Sequence, residues 1–94
     1  MWNDDSDKGD KDIIEKSKNH IYFYSSVNRE SIHKLNKFIK DTNNELTNLE
    51  NDYGSTNIKI YLHINISGGK VFAALACVDY IKYSKHPIVT IIEG

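Results

Sequence analysis

The residues best suited to chemistry are three that interrupt a regular pattern. Ser67, Gly68 and Gly69 follow an alternating run of isoleucine and leucine and precede an alanine-rich segment. If that run is a strand and that segment a helix, the two glycines allow a sharp turn and a close approach to the backbone. The first N–H groups of the helix would point outward with the positive end of the helix dipole behind them. Such a junction could stabilise an oxyanion, although Gly-Gly after a strand is more often only a tight turn.

The other nucleophilic and metal-ligating side chains show no comparable spacing. No serine lies at a spacing from a histidine that is typical of a catalytic triad. The histidines are His20, His33, His63 and His86. No two of them are four residues apart, and the single cysteine, Cys77, cannot form an internal disulfide or a paired-cysteine metal site. We therefore expect no metal and no cofactor.

The length and the charge limit the class of protein. A chain of 94 residues is enough for one small domain. A net charge of -1 argues against a nucleic-acid partner or an acidic membrane surface. No apolar run approaches the roughly 20 residues that span a bilayer, and the N-terminus lacks the features of a signal peptide. We expect a cytoplasmic protein with a flexible polar arm over residues 1–12 and one domain over residues 13–94.

The elements that must position the glycine junction follow from the apolar pattern. In chain order, the pattern predicts a short helical turn over 13–18, a strand over 21–24, an amphipathic helix capped by Asn28, a polar loop over 51–57, a strand over 58–66, a helix over 70–84 and a strand over 88–92. The apolar stripe of the first long helix consists of Ile32, Leu35, Phe38, Ile39, Leu46 and Leu49. Asn43 and Asn44 interrupt this stripe, so we expect the helix to end near Thr42 and to restart.

The order of strands and helices indicates the fold class. The strand over 58–66 alternates strictly and has one fully apolar face, and the strand over 88–92 is apolar almost throughout. Continuous apolarity is typical of strands buried on both faces of a parallel sheet. Strands that alternate with helices predict an α/β fold with a parallel sheet.

A longer stretch around the glycines resembles a known family. Residues 60–69 read I-Y-L-H-I-N-I-S-G-G and resemble the I-x-L-x-I-N-S-P-G-G signature of ClpP, the proteolytic subunit of the ATP-dependent Clp protease. The similarity continues through residues 70–81 and 87–94, and residues 12–13 and 20–28 look like the family's first helix, first strand and turn. The resemblance implies a serine peptidase with the ClpP/crotonase-like fold. Such subunits stack into rings, homo- or hetero-oligomeric, that degrade polypeptides delivered by an AAA+ unfoldase.

The resemblance also assigns roles to single residues. Gly69 matches the glycine whose backbone N–H lines the oxyanion hole, and Gly68 belongs to the same loop. Ser67 stands where the family has proline. Because serine does not fix φ as the proline ring does, we expect this loop to be less rigid than in the family. Gly94 matches the glycine that opens the family's G-x-x-x-S turn. The nucleophilic serine, the histidine and the aspartate would all follow Gly94, so we expect an N-terminal half that is not catalytic alone.

A second set of residues matches the family's docking pocket for unfoldase loops. It comprises Tyr61, His63, Tyr83, Ile91 and Glu93. His63 and Glu93 make this pocket more polar than is usual in the family. The predicted sheet would also lack neighbours beyond residues 88–92, so we expect exposed apolar surface and association with other subunits.

Two other functions remain open at this point. The chain could be a non-catalytic member that assembles or regulates rings of ClpP-like subunits. It could also be an acyl-CoA enzyme of the crotonase type, which shares the fold class and an oxyanion hole built from two amides. The sequence contains no acyl-CoA motif, and residues 65–69 fit the peptidase better.

Overall fold

The structure is a computed structural model that describes residues 13–54, 57–65 and 79–93. In chain order its elements are β1 (Ile13–Ser17), β2 (His20–Tyr24), α1 (Arg29–Tyr53), β3 (Ile60–Asn65), α2 (Asp79–Lys82) and β4 (Ile88–Glu93). The polar arm over 1–12, the oxyanion loop over 67–69, most of the helix predicted over 70–84 and Gly94 lie outside the described residues.

The four strands form one mixed sheet in the order β1-β2-β3-β4. β2, β3 and β4 run parallel, whereas β1 is antiparallel to β2. The prediction of an α/β chain with parallel strands is confirmed for the last three strands. It is incomplete at the edge, where β1 makes the sheet mixed.

The prediction of a helical turn over residues 13–18 is wrong, because this segment forms a hairpin with β2. Ser17 is the pairing partner of His20, so only Lys18 and Asn19 connect the two strands. Lys18 has a φ of 56°, the positive value that the first residue of such a short loop requires. The Asn19 carbonyl then accepts the N–H of Tyr61 at 2.9 Å, which joins the hairpin to β3.

α1 begins where the sequence predicts. Asn28 and Ser31 form a capping box, in which the side chain of each accepts the backbone N–H of the other at 2.9 Å. The helix ends at Gly54, whose φ of 86° suits glycine and whose N–H donates to the Glu50 carbonyl at 2.8 Å. No helix in the described part of the chain is long and apolar enough to cross a membrane.

The prediction of a break near Thr42 is wrong, because Asn43 joins α1 to the loop before β4. Its Nδ2 donates to the Ile39 carbonyl at 3.0 Å and to Ser84 Oγ at 2.8 Å. Its Oδ1 accepts the backbone N–H of His86 at 2.9 Å and lies 3.0 Å from His86 Nδ1. These bonds offset the low helix propensity of asparagine, and α1 continues to Tyr53 through the first part of the predicted loop.

The core lies between α1 and one face of the sheet. Its buried apolar residues are Ile21, Phe23, Leu35, Ile39, Leu46, Ile60, Leu62 and Ile64. The expectation that the last strand is buried on both faces is wrong, because Thr90 is exposed and Ile92 is 54% exposed on β4. Ile92 therefore provides the exposed apolar surface that was expected at this strand.

Replacing Asn43 with alanine is expected to lower the free energy of unfolding by about 2 kcal/mol. The change removes the acceptor of the His86 N–H, and an unsatisfied buried donor costs about 1–3 kcal/mol. The neighbouring Asn44 is exposed, so Asn44→Ala is the matched control and should change stability by less than about 0.5 kcal/mol. Urea denaturation followed by circular dichroism measures both variants. Equal effects would contradict a stabilising link between Asn43 and the loop.

Candidate functional site

The face of the sheet opposite α1, here called the outer face, carries a dense set of polar and aromatic side chains. Because side chains alternate along a strand, the residues between the core positions must lie on this face. Among them are His20, Tyr22 and Tyr24 on β2, Tyr61 and His63 on β3, and Ile91 and Glu93 on β4. The pairing of Tyr22 with His63, and of His63 with Ile91, places members from all three strands side by side.

Four rings on the outer face form a row across β2 and β3, in which two stacked pairs are joined by an edge-to-edge contact between the two imidazoles. Tyr61 lies on His20, with ring centroids 4.9 Å apart and an interplanar angle of 19°. Tyr22 lies on His63 at 4.5 Å and 17°. His20 and His63 join the two pairs at 5.1 Å and 26°. Stacked cross-strand pairs of this kind stabilise a sheet and fix the position of each ring.

A chain of hydrogen bonds runs through the same rings. His20 Nδ1 lies 2.9 Å from His63 Nε2, and His63 Nδ1 lies 3.1 Å from Glu93 Oε2. The Tyr24 hydroxyl donates to Glu93 Oε1. An ionised Glu93 can only accept, so His63 carries its proton on Nδ1. In neutral His63, Nε2 is then an acceptor, and His20 must donate to it from Nδ1.

Electrostatics agree with this assignment of protons. The hydrogen bond from Tyr24, together with the one from His63, lowers the pKa of Glu93 below its usual value. The same bond to Glu93, with a smaller contribution from burial, raises the pKa of Tyr24 to about 12. At neutral pH Glu93 is therefore an anion and Tyr24 a neutral donor.

Among the residues that the structure describes, the histidine and glutamate of this network form no catalytic dyad with a nucleophile. Both ring nitrogens of His63 already have partners, so neither is free to act as a base toward a serine. Ser25, Ser31 and Ser84 donate instead to backbone carbonyls, at 2.9, 2.8 and 2.7 Å. Within the described ranges, no group of three or more histidine, cysteine or acidic side chains could hold a metal ion.

The structure brings together most of the predicted docking residues. Tyr61, His63, Ile91 and Glu93 share the outer face. Tyr83 lies in the loop between α2 and β4, and its side chain is 79% exposed. Gly68 and Gly69, the predicted oxyanion residues, lie outside the described residues.

The sequence interpretation missed the contribution of β2 to this face. His20, Tyr22 and Tyr24 alternate with the buried Ile21 and Phe23. That alternation is visible in the sequence and could have assigned the three side chains to the face opposite the core. Their contact with β3 depends on strand register, which the sequence of β2 alone does not reveal.

The Glu93→Gln substitution is expected to return the pKa of Tyr24 from about 12 toward the ordinary value near 10. Without the carboxylate, the phenolate no longer faces a negative charge. Because folding raises this pKa, the Tyr24 contribution to stability is present below about pH 10 and is lost as the pH rises toward 12. NMR of ¹³C-labelled tyrosine rings measures the titration, with Tyr24→Phe to assign the signal. A pKa of Tyr24 that Glu93→Gln leaves unchanged would contradict the described contact.

Comparison with known proteins identifies the family. The model of the Clp protease family matches residues 13–94, which include every strand and helix described above. No curated protein and no solved structure matches the chain. The family match covers most of the chain and confirms the resemblance found around the glycine pair. The chain belongs to the Clp protease family.

Proposed function

We propose that the chain is the N-terminal portion of a Clp-type serine endopeptidase subunit with the ClpP/crotonase-like fold. In this proposal it acts in the cytoplasm within a ring of ClpP-like subunits and hydrolyses peptide bonds in unfolded polypeptides, and it is not catalytic alone. The family match over residues 13–94 is the observation that carries the proposal.

The ends of β3 and β4 support this assignment. Asn65 is the pairing partner of Glu93, so the two parallel strands end side by side at one edge of the sheet. The proposed oxyanion loop follows Asn65 in the sequence, and Gly94 follows Glu93. A nucleophile turn that began at Gly94 would therefore start beside the oxyanion loop. Active sites of parallel α/β sheets form at this carboxyl edge of the strands.

The mechanism divides the catalytic groups between two segments. By resemblance, the backbone N–H of Gly69, in the same loop as Gly68, would stabilise the negative oxygen of the tetrahedral intermediate. The serine nucleophile, the histidine base and the orienting aspartate would come from a segment after Gly94 or from a companion chain.

The outer face supplies the proposed contact with an AAA+ unfoldase. Tyr61 and Ile91 offer apolar surface, whereas His63 and Glu93 hold a fixed polar network at its centre. A partner loop that docks here must satisfy or avoid these polar groups, so we expect selectivity among unfoldases. Tyr83, in the loop before β4, would extend the contact.

A non-catalytic role in ring assembly is the second candidate, and the exposed edge of the described sheet favours it. β4 ends the four-stranded order, and Ile92 on it is 54% exposed. An edge strand with exposed apolar side chains is a template for association with another chain. Such association would not require any catalytic group on this chain.

Supplying the catalytic groups that the proposal assigns to a second segment is expected to produce peptidase activity. The 94-residue chain, refolded with a polypeptide that carries the C-terminal half of a Clp peptidase subunit, should cleave a fluorogenic peptide. The chain alone, and a mixture in which the companion's serine is changed to alanine, are the controls and should be inactive. A correctly assembled ring without cleavage would contradict the peptidase proposal. Such a ring, if it formed around full-length subunits, would favour the assembly role.

In the restored enzyme, Gly69→Pro is expected to lower kcat/KM by a factor of about 100–1000. Proline has no backbone N–H, so this substitution removes the proposed oxyanion donor. Gly69→Ala keeps the N–H and is the matched control, with an expected loss of less than about tenfold. Peptide cleavage measures the rates, and sedimentation shows whether the rings still assemble. Equal losses in both variants would mean that loop shape, and not the donor, is responsible.

A further inference from the structure

The His20–His63 contact has a limited capacity for protons, which follows from its hydrogen bonds. In the neutral pair, each ring carries one proton, and the His20 Nδ1–H donates to His63 Nε2 across 2.9 Å. If His63 gains a proton on Nε2, the direction of this bond reverses. His20 then accepts on Nδ1, and its single proton is on Nε2 instead. Every bond survives, and the new imidazolium faces the Glu93 carboxylate at 3.1 Å.

A second extra proton cannot be accommodated in the same geometry. With both rings doubly protonated, two N–H groups would face each other across 2.9 Å with no acceptor between them. Two positive charges would also lie side by side, while only His63 contacts Glu93. The contact between the two imidazoles must then break, and the row of rings from Tyr61 to Tyr22 separates at this point.

We propose that His20 and His63 form a proton-sharing pair that keeps the outer face assembled with up to one extra proton and separates with two. Unfoldase docking at this face would therefore weaken in acid. The statement about docking rests on the proposed function, whereas the behaviour of the pair does not.

The described groups around the pair do not neutralise the positive charge that a second extra proton would add. At the outer-face positions of the four described strands, the other titratable groups are Glu15, Tyr22, Tyr24, Tyr61 and Glu93. Glu15 is the partner of Tyr22 on β1 and is exposed, so solvent screens its charge. Glu93 is already shared between His63 and Tyr24. These positions, as far as the structure describes them, include no lysine or arginine.

Uptake of the second extra proton changes the folding stability in a definite direction. Histidine side chains in unfolded peptides take up a proton as the pH falls through about 6.5. The 2.9 Å contact leaves room for only one extra proton in the assembled pair, so a state in which the two rings are apart binds more protons in acid. Folding stability must then decrease as the pH falls through the second protonation.

NMR of the ¹⁵N-labelled imidazoles in the full chain tests the pair directly. At pH 8 both His20 and His63 should show the Nδ1–H tautomer. On acidification His63 should become an imidazolium while His20 changes to the Nε2–H tautomer. The contact between the Tyr22 and His63 rings should persist at this stage and disappear when His20 also becomes charged. Two imidazolium rings within an intact stack would overturn the proposal.

Thermal unfolding at pH 7 and pH 5 gives a second, independent measurement. His20→Gln leaves one histidine in the pair, so this variant should lose less stability on acidification than the wild type, by about 5 °C in Tm. His33 is exposed on α1 and away from the outer face, so His33→Gln is the matched control and should behave like the wild type. The same loss in all three proteins would overturn the proposal.

Binding of a purified Clp-type AAA+ unfoldase, loaded with ATP, tests the statement about docking. Binding should be at least tenfold weaker at pH 5.5 than at pH 7.5, and His20→Gln should reduce this difference. An equal loss of binding in both proteins would overturn the link between the pair and docking. No binding at either pH would overturn the docking role itself and the statement that rests on it. The NMR result would still decide the behaviour of the pair.

Discussion

Both faces of the sheet depend on the alternation of side chains along β3. This strand pairs in register with β2 on one side and β4 on the other. Ile60, Leu62 and Ile64 fill the core against α1, and the same pleat directs Tyr61 and His63 to the outer face. A slip of one residue would exchange the two sets and place a histidine in the core. The strand register that the hydrophobic core fixes therefore also fixes the positions of the side chains in the polar network.

Signals confined to a few neighbouring residues allowed the sequence to predict much of the fold. The alternation of β3 and the cap at Asn28 are of this kind. β1 forms by pairing with the adjacent β2, although residues 13–17 show no alternation of apolar and polar side chains. The continuity of α1 depends instead on a distant partner, since Asn43 binds the loop before β4. The same difference between local and distant signals applies to the candidate site. Tyr61 and His63 were found from a resemblance in one segment, whereas the contact of His63 with His20 requires two strands to pair.

The outer face and the carboxyl edge of the sheet are joined at Glu93. Its carboxylate accepts hydrogen bonds from His63 on the adjacent strand β3 and from Tyr24 on β2, one strand further away, so the last residue of β4 is held to two strands. Gly94, where the proposed nucleophile turn begins, follows immediately. A disturbance of the outer face would reach this edge through one side chain. Glu93 thus links the proposed docking surface directly to the proposed catalytic edge, so no long-range pathway is needed to connect them.

The hairpin of β1 and β2 has a consequence for the order of folding. The hairpin has a two-residue connection and α1 has only local backbone bonds, so each can form within microseconds after its residues have been synthesised. The parallel pairing of β2 with β3 must wait until the ribosome has added the whole of α1 and the segment that follows it. Until then Ile21 and Phe23 have no β3 beside them, and closing this long loop is the slow, entropically costly step. A nascent chain at this stage exposes an apolar strand, which is the type of surface that chaperones bind.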